Sequence, residues 1–127
     1  MARRMWAARA SELPVGERIL LELGGLRLGI FRLSDGFYAL EDKCAHQRGP
    51  VCSGNMFREI RAEVGPDGRV RERYAREERD IIACPMHGFE FEVRTGVCLA
   101  DRSRKVQSFP VEMDGEDIYV ILPGRDR

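Results

Sequence analysis

Histidine is almost missing from this chain: it occurs only at His46 and His87 among 127 residues, which excludes any chemistry that needs a third imidazole. Tryptophan occurs once, at Trp6, and cysteine four times. Excess charge of one sign is also lacking. The 21 Lys and Arg balance 21 Asp and Glu, so no global basic field draws the chain to nucleic acid or to an anionic membrane. Nor is there a long hydrophobic run. The greasiest stretch, Val15 to Leu33, is interrupted by Glu17, Arg18, Glu22, Arg27 and Gly24-Gly25, far from the roughly 18 uninterrupted apolar residues of a membrane helix. Met1 to Arg9 contains Arg3 and Arg4 but no apolar region or small-residue cleavage site after them. Neither a Sec nor a twin-arginine signal is therefore predicted, and a reducing cytoplasm is the expected location.

What is present suits one domain over residues 1–127, since 43% hydrophobic residues is enough for a single core. The pattern reads as all-β, with short apolar runs punctuated by turn signals. Strands are predicted over Met5 to Ala10, Arg18 to Leu23, Leu26 to Leu33 and Phe37 to Leu40, with Gly24-Gly25 as a two-residue hairpin turn. Further strands are predicted over Phe89 to Val93, Val97 to Leu99, Gln107 to Met113 and Asp117 to Leu122. Trp6, Phe31 and Phe37 read as core residues. Between these halves, residues 53–80 are dominated by Arg and Glu and read as an excursion from the core. Ile60, Ala62 and Val64 alternate before Gly65-Pro66-Asp67-Gly68, and Val70 and Tyr74 follow it, which predicts an exposed hairpin. A short helix over Glu72 to Arg79 is the competing reading, supported by Glu72 and Arg76 at i,i+4.

Both histidines sit beside cysteines, in Cys44-Ala45-His46 and in Cys84-Pro85-Met86-His87. Chance does not readily place every histidine of a chain within three positions of a cysteine, so the four residues are read as metal ligands. Thiolate with imidazole suits zinc, or iron held with inorganic sulfide. Structural zinc sites usually group cysteines on one knuckle and histidines on another, whereas here each loop offers one of each, which favours a two-iron cluster. Cys52 and Cys98 read as small buried thiols rather than ligands; spacing leaves a disulfide between them open. Arg48, beside the first motif, reads as a solvated rim charge, with contact to an acidic partner near the cluster as the competing reading.

C-x-H followed by C-x-x-H-G, with Phe91 beyond Gly88 and Thr95-Gly96 after it, resembles the Rieske 2Fe-2S domain. The resemblance implies an antiparallel β-sandwich with two cluster-binding loops. It further implies one 2Fe-2S cluster in which Cys44 and Cys84 hold one iron while His46 and His87 hold the other. The family's gap between motifs is commonly about half as long, so 53–80 is expected to be an insertion, placed to alter the rim of the cluster site. In Rieske subunits of respiratory complexes a disulfide joins the two loops; the matching positions here are Gly49 and Met86, so that bridge is absent. The Ser and Tyr hydroxyls those subunits place near the cluster are absent as well, because this chain reads Gly88-Phe89-Glu90-Phe91. Both departures point to the low-potential ferredoxin type.

Two ferric ions, two sulfides, two thiolates and neutral imidazoles sum to zero when oxidised and to minus one when reduced. Four thiolates would make the centre more negative in both states. The imidazoles therefore raise the potential above that of plant-type ferredoxins, toward the lower end of about −150 to +300 mV. The resemblance thus implies a one-electron carrier, a ferredoxin that takes electrons from a reductase and supplies a ring-hydroxylating or similar oxygenase. Such a protein is not itself an enzyme: the large oxygenase subunits add an iron held by two further histidines and a carboxylate, and both histidines here are committed. The alternatives are the small Rieske subunit of a nitrite reductase-like complex, and a zinc-binding structural module that moves no electrons.

Overall fold

The computed structural model describes residues 2–43, 50–58, 60–64, 66, 68–74, 80–85 and 89–124, with 55, 57, 58, 60–64 and 70–74 described by backbone alone. Among them are β1 (Arg3–Arg9), β2 (Arg18–Leu23), β3 (Leu26–Leu33), β4 (Gly36–Glu41), β5 (Asn55–Arg58) and β6 (Ile60–Val64). These are followed by β7 (Val70–Tyr74), β8 (Asp80–Ala83), β9 (Glu90–Glu92), β10 (Ser108–Phe109), β11 (Val111–Asp114) and β12 (Asp117–Leu122). Two short 3-10 turns, Ala10–Glu12 and Val51–Ser53, complete the described elements. No helix among the described residues is long and apolar enough to cross a membrane.

Every strand pair is antiparallel. One sheet has the order β1-β12-β11, a second β10-β4-β3-β2, and a third β5-β8-β9, while β6 and β7 form a two-stranded ribbon. The second sheet is the middle layer, and β3 shows why. In its sequence, LRLGIFRL, Leu28 to Phe31 and Leu33 are all buried, as expected for a strand covered on both faces. Leu28 and Ile30 join Leu13, Ala39, Val120 and Leu122 in the core shared with the first sheet. Phe31 and Leu33, on the opposite face, join Cys52, Ile82, Cys84, Phe91 and Cys98 against the third sheet. Each such large apolar side chain contributes about 1.5–3 kcal/mol by leaving water, so β3 stabilises both compartments at once. Gly24 and Gly25, at φ +56° and +86°, form the β2–β3 turn that sets its register.

Three expectations need correction. Trp6 is half exposed rather than buried: alternation along β1 turns Met5 and Ala7 inward, and the Trp6 indole N–H donates to Asp117 at 2.9 Å. The predicted strand Gln107 to Met113 is two strands, because Pro110 has no N–H to continue a ladder. Ser108 and Phe109 pair with β4, whereas Val111 onward pairs with β12 in the other sheet. Val97 to Leu99 forms no strand of its own, only isolated bridges from Val97 to Lys105 and from Cys98 to Phe91.

Residues 53–80 contain more than a hairpin. The ribbon pairs Ile60 with Tyr74 and Val64 with Val70, and Gly68 of its turn lies at φ +78°. Residues 72–74 are therefore strand rather than helix, while 75–79 lie outside the described residues. But β5 belongs to the third sheet, pairing Asn55 with Ala83 and Arg58 with Asp80.

Candidate metal centre

The first predicted ligand loop leaves β4 at Glu41. Its ligands Cys44 and His46, together with Arg48 and Gly49, lie outside the described residues, but both of its roots are defined. The Asp42 N–H donates to the Arg27 carbonyl at 2.7 Å. The Asp42 carboxylate accepts the Cys52 N–H at 2.9 Å from across the loop and pairs with Arg27 at 3.4 Å. Beyond Pro50 the chain tightens into the 3-10 turn, with the Ser53 N–H donating to the Pro50 carbonyl and the Gly54 N–H to that of Val51. Arg18 of β2 then donates its guanidinium to the Gly54 carbonyl.

The second loop joins β8 to β9. Cys84 is described; Met86, His87 and Gly88 are not. The Cys84 N–H donates to the Phe89 carbonyl at 2.8 Å, which closes the loop at its base and leaves four residues to make the turn. Cys84 is 1% exposed and belongs to the same core as Phe31, Cys52 and Phe91. A buried thiol facing apolar neighbours suits an inorganic core shielded from water on its cysteine side.

Antiparallel pairing brings the two roots together. Asn55, directly after the first loop, lies opposite Ala83, directly before the second. The approach is tight enough to demand glycine: a Cβ on Gly54 would sit 1.6 Å from the Ala83 carbonyl oxygen and 3.3 Å from Pro85 Cδ. The segments that carry the two Cys and His motifs are thus rooted side by side. The ribbon leaves the same ladder at the other end, beyond the Arg58–Asp80 pair. Three residue steps along β8, roughly 10 Å, separate the ribbon's root from the loops, whereas Gly54 and Asn55, near the start of the 53–80 segment, lie beside them.

Cys52 and Cys98 are both fully buried, and no disulfide joins them. Burial, reinforced by the nearby Asp42 charge, pushes the Cys52 thiol well above its ordinary range, which keeps it protonated and a poor metal ligand. Gly29 of β3 makes room for it, since a Cβ there would come within 2.7 Å of the Cys52 side chain.

Two further charged side chains, which no motif marks, fix the frame: one at the loop root and one at the far end of β8. Asp42 is one; it continues the inward face of Leu40 at i+2, a signal that alternation carries. The other is Arg94, placed before the Thr95-Gly96 turn. It donates to both Asp35 oxygens, at 3.1 and 2.9 Å, and to Asp80 at 2.9 Å. Tyr38 donates to the same Asp35 at 3.1 Å. Arg94 thus ties the β3–β4 turn of the middle sheet to the start of β8. Its hydrogen bonds hold the Asp35 carboxyl below the usual aspartate value and, chiefly through Asp35, raise its own.

Comparison with known proteins agrees with this architecture. A 3-phenylpropionate/cinnamic acid dioxygenase ferredoxin subunit of Escherichia coli strain K12 is 23% identical over 121 residues, covering 94% of each chain. Among solved structures, the ferredoxin of carbazole 1,9a-dioxygenase from Nocardioides aromaticivorans IC177 superposes with TM-score 0.66 at 22% identity, covering 92% of this chain and 95% of that one. A Mycobacterium tuberculosis protein assigned as an NADH-dependent nitrite reductase small subunit superposes with TM-score 0.73 at 19% identity, covering 98% and 99%. A family model described as Rieske [2Fe-2S] domain matches residues 3–110, and the chain belongs to that family, whose cofactor is a Rieske-type 2Fe-2S cluster.

Proposed function

We propose that this chain is a one-electron carrier, a Rieske ferredoxin that takes electrons from a reductase and delivers them to a ring-hydroxylating or similar oxygenase. Cys44 and Cys84 would hold one iron, and His46 and His87 the other. When bound, the cluster supplies a reversible one-electron couple. The protein's part is to fix two short loops against each other and to leave no catalytic machinery of its own. The observation that supports this reading is the meeting of Gly54, after the first loop, with Ala83, before the second, at one end of the third sheet. The relatives named as dioxygenase ferredoxin subunits, matched over 94% of their length, support the assignment to an oxygenase system. A solved complex of reduced oxygenase with oxidised ferredoxin in carbazole 1,9a-dioxygenase, 27% identical to this chain, supports the choice of acceptor. Residues 53–80 are proposed to interrupt the domain through the β6–β7 ribbon, with β5 retained as part of the domain's own sheet.

The test is direct. Purified protein should contain two irons and two sulfides per chain, and dithionite should give a rhombic paramagnetic resonance signal with average g below the free-electron value. A colourless protein with one zinc per chain would end the redox reading. The second reading, a nitrite reductase small subunit, has the overall superposition on the M. tuberculosis protein in its favour. Stable copurification with a large flavin or haem subunit would select it over a freely exchanging ferredoxin.

A further inference from the structure

We propose that Asp42 is a positioning residue of the first ligand loop: its carboxylate clasps the loop's two ends together and carries a charge two residues along the chain from the proposed ligand Cys44. The inference rests on the cluster reading above and assigns a task to a residue that is not itself a ligand.

Among the described residues Asp42 is the one charged side chain that is buried, at 8% exposure. Burying a carboxylate is costly unless hydrogen bonds meet it, so its partners show what it is for. One oxygen accepts the Cys52 N–H at 2.9 Å; the other faces Arg27 at 3.4 Å. Cys52 is the second residue of the 3-10 turn that ends the loop, and that position ordinarily looks to the N-cap side chain for an acceptor. The N-cap here is Pro50, which makes no side-chain cap bond. Asp42 supplies the missing acceptor from the far side of the loop. Its own N–H is spent on the Arg27 carbonyl of β3, so backbone and side chain together lock the last residues of β4 to both β3 and the turn. Gly29 completes the arrangement by letting the Cys52 side chain pack onto β3. An apolar residue at position 42 would fill the space but strand the Cys52 amide. An amide side chain would keep the clasp and drop the charge.

That division defines the experiment. Asp42→Asn retains an acceptor oxygen without the charge, and Asp42→Ala loses both. Three readouts are taken on parent and variants: hydrogen exchange of a peptide spanning 50–54, iron release to a chelator at pH 7, and the reduction potential. In Asp42→Ala exchange and iron release should quicken about tenfold or more, the consequence of losing a hydrogen bond to a charged group, while Asp42→Asn stays within about twofold of the parent by the same reckoning. The potential of Asp42→Asn should rise, because the charge it removes opposes the more negative reduced cluster. Parent-like behaviour of Asp42→Ala, a release from Asp42→Asn as fast as from Asp42→Ala, or an unmoved potential would each overturn the proposal. Should Asp42→Ala fail to fold, exchange and potential of Asp42→Asn decide alone. Zinc in the parent would defeat the cluster reading through the metal assay, whereas the exchange result judges the clasp whichever metal is bound.

Discussion

Gly54→Ala probes the convergence of the two loops by the smallest perturbation available. Gly54 lies at φ −74° and ψ 177°, a conformation any residue adopts, so alanine there carries no backbone penalty. On chain entropy alone the change should stabilise by about 0.4–1 kcal/mol. Sterics reverse the sign. The added methyl would lie 1.6 Å from the Ala83 carbonyl oxygen, where ordinary contact begins at 3.4 Å. The obstacle is backbone within a paired strand, and it cannot rotate away as a side-chain tip would. Separating β5 from β8 there sacrifices the Asn55–Ala83 pair and strains the Arg18 bond to the Gly54 carbonyl. Lost hydrogen bonds at about 1 kcal/mol each, with overpacking of about 1–3 kcal/mol, put the cost at roughly 3–5 kcal/mol. At about 4 °C per kcal/mol for a domain of this size, the loss of visible absorbance on heating should move down by about 10–20 °C. Iron content after purification should fall in parallel. A Gly54→Ala protein that melts with the parent or above it, carrying full iron, would refute the close approach and with it the structural basis for a shared cluster.

Other perturbations separate the remaining claims. His87→Ala and Cys44→Ser should each abolish the cluster and destabilise the fold, since metal binding and folding are linked; a full iron complement in either contradicts the ligand assignment. Replacing residues 60–74 with a short turn should leave the cluster's spectrum unchanged, because the ribbon is rooted at the end of β8 away from the loops; a lost or altered spectrum would show that the ribbon supports them. The single tryptophan should emit at long wavelength and be quenched readily by acrylamide, since Trp6 is 50% exposed; blue, protected emission would contradict its placement. Arg94→Gln should destabilise by about 1–3 kcal/mol at neutral pH, less than its three bonds suggest because Asp35 is half exposed. The Asp35 value is lowered in the fold, so the parent's advantage is present above the ordinary 3.8 and is lost as pH falls through the lowered value. A gap between the two in denaturant melts that widened in acid would contradict the sign.

Much of the fold was legible because short strands with one buried face leave a period of two, and because Gly24-Gly25 and the Gly65 to Gly68 turn announce reversals of direction. Errors fell where local pattern and tertiary placement diverge. The bulk of Trp6 suggests the core, but the parity of β1 decides its side, and its neighbours Met5 and Ala7 take the inward positions. Gln107 to Met113 looked continuous because apolar alternation does not register a change of sheet; Pro110 was the available signal. The proposed ligand motifs stand out because Cys and His are scarce enough for adjacency to carry meaning. The residues that brace the first loop and the far end of β8 are harder to see. Arg94 and Asp42 look like two more charges in a chain where 33% of residues are charged, and only their distant partners Asp35, Asp80 and Cys52 distinguish them.

The exit of the ribbon beyond Arg58 and Asp80 means that the count of residues between the two metal-binding motifs is no ruler for their separation in space. Material of any length can be spliced in at that point, provided the strand re-enters opposite the place it left. A pattern search that insists on a fixed spacer would therefore overlook kindred sequences whose redox ends are built alike and whose far ends have simply grown.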